Sequence, residues 1–202
     1  MCEEAIIDLY ERHASEFDRD RGQSLHGERA WLDTFLLGVP AGGTVLDVGC
    51  GTGSPIAAYI LQRGFRVVGV DASPSMIRMC RARFPECEWV LQDMRALKLG
   101  QRFDAILAWD SFFHLGIEEQ RAMFPRFAAH AVPGSPLLFT SGPREGEAIG
   151  SYCGERLYHA SLDPTEYRRL LSENRYVVQA HIAEDPACGG HTVWLANYEA
   201  IM

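Results

Sequence analysis

Short apolar blocks alternate with amphipathic stretches along most of the chain. Residues 44–48, 65–70, 88–91, 103–108, 137–140, 176–183 and 192–198 are rich in Val, Ile, Leu and aromatic residues and read as seven strands. Between them the period changes. Ile6, Tyr10, Ala14 and Phe17 recur at spacings of three and four, which predicts one amphipathic helix over 3–18. A second helix, about 28–37, carries Trp31, Leu32, Phe35 and Leu36 and stops at the breaker cluster 38–43. Ser54-Pro55 and Ser73-Pro74 each look like a helix start, because serine suits an N-cap and proline at the first helical position loses no needed hydrogen bond. These helices are expected to reach Arg63 and Phe84. A helix over 118–129 contains Pro125, which should kink or split it, and another spans 164–173.

Strands separated by helices imply a parallel sheet covered on both faces. The last two strands are joined only by Asp185-Pro186-Ala187-Cys188-Gly189-Gly190, too short for a crossover helix, so they should pair antiparallel at one edge. The expected fold is an open, doubly wound α/β sheet. No repeat or linker divides the 202 residues, which read as one domain, 1–202.

Composition changes the picture in two ways. Ordinary apolar (47%) and charged (23%) fractions, no apolar run of membrane-spanning length and an opening Met-Cys-Glu-Glu point to a soluble cytoplasmic chain, away from membranes. Nineteen basic against twenty-seven acidic residues give a net charge of −8, and Lys98 is the sole lysine. Such a chain gains little from counterion release, which argues against nucleic acid. The six cysteines show no C-x-x-C spacing, so free thiols are expected and no metal site.

Ligands of open α/β sheets bind at the carboxyl ends of the strands. The first strand runs into Asp47-Val48-Gly49-Cys50-Gly51-Thr52-Gly53, where glycines permit a tight turn and close backbone approach. A dinucleotide fingerprint would need glycine at the sixth position from Gly49, which is Ser54, and a P-loop would need a lysine that is absent. Asp47 is unfavourable beside a pyrophosphate and favourable beside an ammonium or sulfonium, which separates S-adenosylmethionine from NAD. Asp71, ending the second strand, is placed for two ribose hydroxyls. Asp93, after the third, suits an adenine amino group, with Met94 to pack on the ring. Trp109-Asp110-Ser111, after the fourth, should face the reactive end.

At these residues the chain resembles the class I S-adenosylmethionine-dependent methyltransferases, in particular the small UbiE-like group acting on small molecules. The likeness is specific over about 43–142 and looser at both ends. It implies a Rossmann-like seven-stranded sheet of order 3-2-1-4-5-7-6 with strand 7 antiparallel. It also implies that Gly49, Gly51 and Gly53 wrap the methionine part of S-adenosyl-L-methionine. Asp71 would bind its ribose, Asp93 and Met94 its adenine, and Trp109 and Asp110 would flank it. Asp47, Cys50, Ala72, Ser73 and Met76 complete the implied cofactor site. Residues 1–38 become an N-terminal helical lid, with Tyr10 over the cofactor.

The implied reaction is in-line transfer of a methyl group to a small-molecule acceptor, with His114, Asp110 and Tyr10 as candidate catalytic residues. His114 follows the fourth strand and titrates in the right range for a base; it also suits a histidine packed under the loop and bonded to backbone. His159 is a second candidate. Arg19 and Arg21 are placed to grip the cofactor carboxylate, although at least one reads as a solvated surface residue. Asp110-Ser111-Phe112-Phe113 lacks the prolines that nucleic-acid and glutamine amino-methyltransferases carry there. With the acidic charge, this favours a small neutral or cationic acceptor, amines foremost. The segment 142–163, with Arg144 and Cys153, is where acceptor choice is expected. Two other readings stand beside this one: an NAD-dependent oxidoreductase, and a non-catalytic S-adenosylmethionine-binding sensor or partner subunit.

Overall fold

The structure, a computed structural model, describes residues 4–199; Cys2 and residue 3 of the expected first helix lie outside them. Five parallel strands form the body of the sheet: β1 (Thr44–Val48), β2 (Arg66–Asp71), β3 (Glu88–Leu91), β4 (Ala105–Ala108) and β5 (Pro136–Ser141). β6 (Gly146–Tyr152) and β7 (Glu155–Ser161) stand apart as a hairpin, while β8 (Tyr176–Asp185) and β9 (His191–Tyr198) close the chain. The main sheet has the order β3-β2-β1-β4-β5-β9-β8, with β9 antiparallel to both neighbours. Counting its seven strands in sequence gives 3-2-1-4-5-7-6, the expected order. Strand order reverses between β1 and β4, which places the binding crevice over their carboxyl ends.

Every central strand buries both faces, which is why the apolar blocks run nearly unbroken. Val45, Ala105, Leu107, Leu138, Val193 and Leu195 point to one side, where they pack with Trp31, Phe35, Tyr59 and Ile77. Their neighbours Leu46, Ile106, Leu137, Phe139, Trp194 and Ala196 face the other, which Phe124, Phe127 and Tyr167 fill. α3 (Arg29–Leu36), α4 (Ile56–Gln62) and α5 (Pro74–Arg83) supply the first layer, and α6 (Ile117–His130) and α7 (Pro164–Glu173) the second. Phe139 sits among Phe112, Phe124 and Tyr167 at ring separations of 5.5 to 6.0 Å and stacks on Trp194.

Several elements differ from the sequence expectation. The N-terminal pattern forms two helices, α1 (Glu4–Arg12) and α2 (Ala14–Arg21), broken at His13, whose φ/ψ of −109°/25° leaves the helical region. The break falls where Arg12 and His13 both turn to Glu155 of β7. Ser54 does not cap α4: Pro55 occupies that position and the Ser54 hydroxyl donates to the Gly22 carbonyl instead. Ser73 does cap α5, accepting from the Met76 N–H. α6 runs through Pro125 unbroken, with the Arg126 guanidinium folded back onto the Ala122 carbonyl beside the proline.

The β6–β7 hairpin was not legible. β6 is almost wholly exposed, so it shows no inside–outside alternation, and its turn places Cys153 and Gly154 at φ +49° and +79° without the usual Asn-Gly signal. Its inner strand is held by Gln120, whose amide N–H groups donate to the Leu115 and Ala160 carbonyls while its oxygen accepts from Tyr167. One fully paired, buried side chain thus ties α6, β7 and α7 together. Among the described residues no helix is long and apolar enough to cross a membrane, and five cysteines are free.

Phe139→Ala should cost about 3–5 kcal/mol by leaving a cavity among four packed rings. Chemical denaturation at neutral pH measures it.

Candidate active site

The glycine turn is shaped by what packs against it. Gly49 adopts φ +78°, and a Cβ there would lie 2.3 Å from the Ser111 Cβ, so no other residue fits without moving the β4 loop. The Ser111 hydroxyl donates to the Val48 carbonyl at 2.7 Å and holds that loop in place. The Gly49 and Cys50 N–H groups both donate to the Val70 carbonyl, at 2.7 and 3.0 Å. Gly51 N–H donates to Asp71 Oδ2 at 2.9 Å, and Ser73 N–H to Asp71 Oδ1 at 2.8 Å. Asp71 therefore joins the glycine turn to the start of α5. Burial still pushes its carboxyl up to about 6, against the pull of these donors.

Asp47 is handled differently. It is 4% exposed, and its carboxyl accepts no hydrogen bond among the described residues. Burial, and then the neighbouring Asp71 charge, raise its pKa to about 7. A buried carboxyl without donors favours a cation brought to it.

The crevice has two connected chambers that share Tyr10, Phe17, Gly49, Gly51, Asp110 and His114. The first extends over Asp71, Ala72, Ser73 and Met76 to Gln92, Asp93 and Met94. Asp93 accepts from Arg95 through both its backbone N–H and its guanidinium, which holds the carboxyl below its usual value, although burial opposes this. Gln92 also lines this chamber, and its Oε1 is buried and without a hydrogen-bond partner. The second chamber is bounded by Asp47, Cys50, Gly53, Trp109, Phe113, His159, His191 and Arg21. Burial raises the Cys50 thiol far above its ordinary value, so it is an un-ionised wall.

His114 lies where the chambers meet. It is 8% exposed, its Nδ1 is 2.9 Å from the Tyr158 carbonyl and its Nε2 is 3.0 Å from the Tyr10 hydroxyl. A carbonyl only accepts, so Nδ1 carries the proton and Nε2 accepts from Tyr10. Burial lowers the pKa to about 4, and His114 is neutral at physiological pH. Asp110 stands nearby at φ +48°, its backbone N–H donating to Thr140 Oγ1 and its carboxylate accepting from that hydroxyl at 3.2 Å and from His191 at 3.1 Å. The His191 ring lies 5.7 Å from that of Trp109.

All the residues singled out from the sequence at the four strand ends border one cleft. Of the two arginines, Arg21 lines it and pairs closely with the buried Glu28, whereas Arg19 is exposed and pairs with Asp20. Cys153 is exposed at the hairpin turn. Three participants were missed. Glu11 accepts from the Ser75 N–H and from the Ser73 and Ser75 hydroxyls, fastening α1 to the start of α5. Gln92 was passed over for the acid beside it. His191, directly after Gly189-Gly190, carried no motif, because only folding brings the start of β9 to the loop that follows β4.

Residues 45–134 match the sequence family described as methyltransferase domain. The chain is 33% identical over 132 residues to dTDP-3-amino-3,4,6-trideoxy-alpha-D-glucopyranose N,N-dimethyltransferase of Streptomyces venezuelae, covering 62% of this chain and 55% of that one. It is 36% identical over 110 residues to demethylmenaquinone methyltransferase of Tropheryma whipplei (strain Twist), covering 50% and 45%. The chain spans about half the length, or less, of the curated relatives it matches. Among solved structures, Burkholderia thailandensis 1,6-didemethyltoxoflavin-N1-methyltransferase, crystallised with 1,6-didemethyltoxoflavin and S-adenosylhomocysteine, superposes with a TM-score of 0.73 at 21% identity, over 98% of this chain and 90% of that one. That likeness establishes the fold, which is the Rossmann-like methyltransferase fold. Over residues 45–134 the chain is thus similar to methyltransferase domains, and it carries their fold.

His114 titrates near 6.5 when unfolded and near 4 in the fold. The unfolded state therefore binds more protons between these values, and stability falls as pH drops through that window. The expected loss is of order 3 kcal/mol by pH 4. His114→Gln should flatten this part of the pH profile, read by urea denaturation between pH 4 and 7.

Proposed function

We propose that the chain is a methyltransferase that binds S-adenosyl-L-methionine across both chambers and transfers its methyl group to a small-molecule amine. The observation that carries the cofactor is Asp47, a buried carboxyl without a donor, lining the second chamber beside the glycine turn. It fits the ammonium of the methionine part. Arg21, beyond it, fits the carboxylate. In the first chamber Asp71 keeps lone pairs for ribose hydroxyls, Ala72, Ser73 and Met76 form the wall, and Met94 packs on the adenine. The orphan oxygen of Gln92 fits an amino-group donor, a role the Asp93 carboxylate is less free to take because Arg95 occupies it.

When bound, the cofactor supplies a methyl group on a sulfonium leaving group, so the protein mainly aligns reactants and excludes water. Tyr10, Phe17 and Trp109 offer aromatic faces suited to that charge. His114 is neutral and its lone pair is taken, so it acts as a positioning residue for the Tyr10 hydroxyl. Asp110 is the group placed to accept a hydrogen bond from an acceptor N–H and to receive its proton. α1 and α2 act as a lid over the cleft. The names of the Streptomyces relative, an N,N-dimethyltransferase, and of the Burkholderia structure, an N1-methyltransferase, support nitrogen as the acceptor atom.

Calorimetric titration should give micromolar binding of S-adenosylmethionine and S-adenosylhomocysteine and none of NADH; the reverse pattern would refute the cofactor. Asp71→Ala should weaken cofactor binding by about 1–3 kcal/mol. Affinity for S-adenosylmethionine should fall on acidification through pH 7, as Asp47 takes up a proton and loses its attraction for cations. Asp47→Asn should remove that dependence. With binding established, small primary amines are the first acceptors to screen. Binding without turnover on any acceptor would favour the sensor reading.

A further inference from the structure

Resting on the proposed cofactor, we infer that His191 is the counter-charge of the reacting end. Its imidazolium positions the Asp110 carboxylate and offsets that charge toward the cleft. The site then does not hold a cationic sulfonium far more tightly than the neutral thioether left after methyl loss.

The geometry of the ring carries the first half of this inference. Gly189 and Gly190, at φ +63° and +82°, turn the chain sharply into β9 and deliver His191 to the mouth of the crevice. Its Nδ1 is 2.6 Å from the Cys188 carbonyl and its Nε2 is 3.1 Å from Asp110 Oδ2. Both partners are acceptors. A neutral imidazole has one N–H, so making both bonds requires the protonated ring. The Asp110 hydrogen bond leads the causes that lift the His191 pKa to about 9, with burial opposing. On its other oxygen Asp110 accepts from Thr140, so the carboxylate is fixed from both sides.

The surrounding charges do not replace His191 in this role. Glu28, preceding α3, faces it but is already paired with Arg21. Asp185 of β8 accepts from the Trp31 indole and the Ala187 N–H. His159, across the chamber, is held below its ordinary pKa by burial and adds no cation at neutral pH. The Cys188 thiol is raised by burial and stays neutral. Removing the imidazolium would therefore leave Asp47, Asp71 and Asp110 together facing the crevice.

An excess of negative charge there would work against turnover. Positive charge leaves the sulfur as the methyl moves, so an anion fixed beside the sulfur stabilises the ground state more than the transition state. A cation bonded to Asp110 reduces that difference while keeping a carboxylate available to the acceptor.

Two measurements test this without an acceptor. Dissociation constants for S-adenosylmethionine and S-adenosylhomocysteine are compared by calorimetry at pH 7.5 or a similar neutral value. In His191→Gln the ratio of affinities should shift toward S-adenosylmethionine by about threefold or more. His191→Lys, which restores a positive charge, should return it toward the wild-type ratio. Equal weakening of both ligands, or no change in the ratio, would mean a merely structural residue and overturn the inference. If the wild type binds neither ligand, the cofactor reading itself is wrong, a different result from an unchanged ratio. Independently, NMR titration of the histidine ring signals should place His191 near pH 9 in the wild type, moving down in Asp110→Asn; an ordinary wild-type midpoint also overturns it.

Discussion

Four neighbouring parallel strands deliver carboxyl groups to one crevice, and the rest of the site follows from how each charge is accommodated. Asp47 and Asp71 lie within β1 and β2, while Asp93 and Asp110 follow β3 and β4 by two residues. The parallel register of these strands brings the four groups to the same edge of the sheet. Taking them out of water is costly unless donors or cations meet them. Asp71 receives two backbone N–H groups, Asp93 a guanidinium, and Asp110 a hydroxyl and an imidazolium. The Asp47 carboxyl receives no hydrogen bond from the described residues, and burial, then the Asp71 charge, raise its pKa. Within this crevice Asp47 offers a carboxyl to a cation, in keeping with the proposed cofactor.

The N-terminal helices close over this edge by bridging both of its sides. Glu11 and Asp18 reach α5, at Ser73, Ser75 and Arg83, while Arg12 and His13 reach Glu155 of the hairpin. Most of these contacts are partly exposed ion pairs or hydrogen bonds, individually worth little in water. Tyr10 and Ile6 add a small apolar patch against Tyr158 and Ala160. Cover built from weak, separable contacts is suited to opening and closing, in keeping with the proposed lid, whereas the two apolar cores on the opposite faces of the sheet are not.

The hairpin and β9 bring the acceptor side to its final form. Gln120 anchors β7, β7 supplies the Tyr158 carbonyl, and that carbonyl sets the tautomer of His114. The ring in turn receives the Tyr10 hydroxyl. From the opposite side the Gly189-Gly190 turn presents His191 to Asp110. A histidine made neutral by burial and one held protonated by a carboxylate thus share one chamber, and their different environments set their different charges.

Much of this was readable from local pattern. Periodicity identified the seven strands of the main sheet and most helices, because burial on both faces or on one stripe leaves a short-range signature. The spacing Asp47-x-Gly49-x-Gly51-x-Gly53 and the acids after successive strands marked the crevice, since backbone turns and strand ends are properties of contiguous residues. The kink at His13, the exposed β6–β7 hairpin and the absence of a Ser54 cap were not readable, because each answers to a partner distant in sequence. The same holds for chemistry. The sequence by itself determined that Asp47, Asp71, Asp93 and Asp110 stand at successive strand ends. Their protonation and pairing came from the tertiary structure: Asp110 meets His191 across 81 residues, and His114 meets Tyr10 across 104. Desolvation and Coulomb energy depend on three-dimensional neighbours, and no local motif carries them.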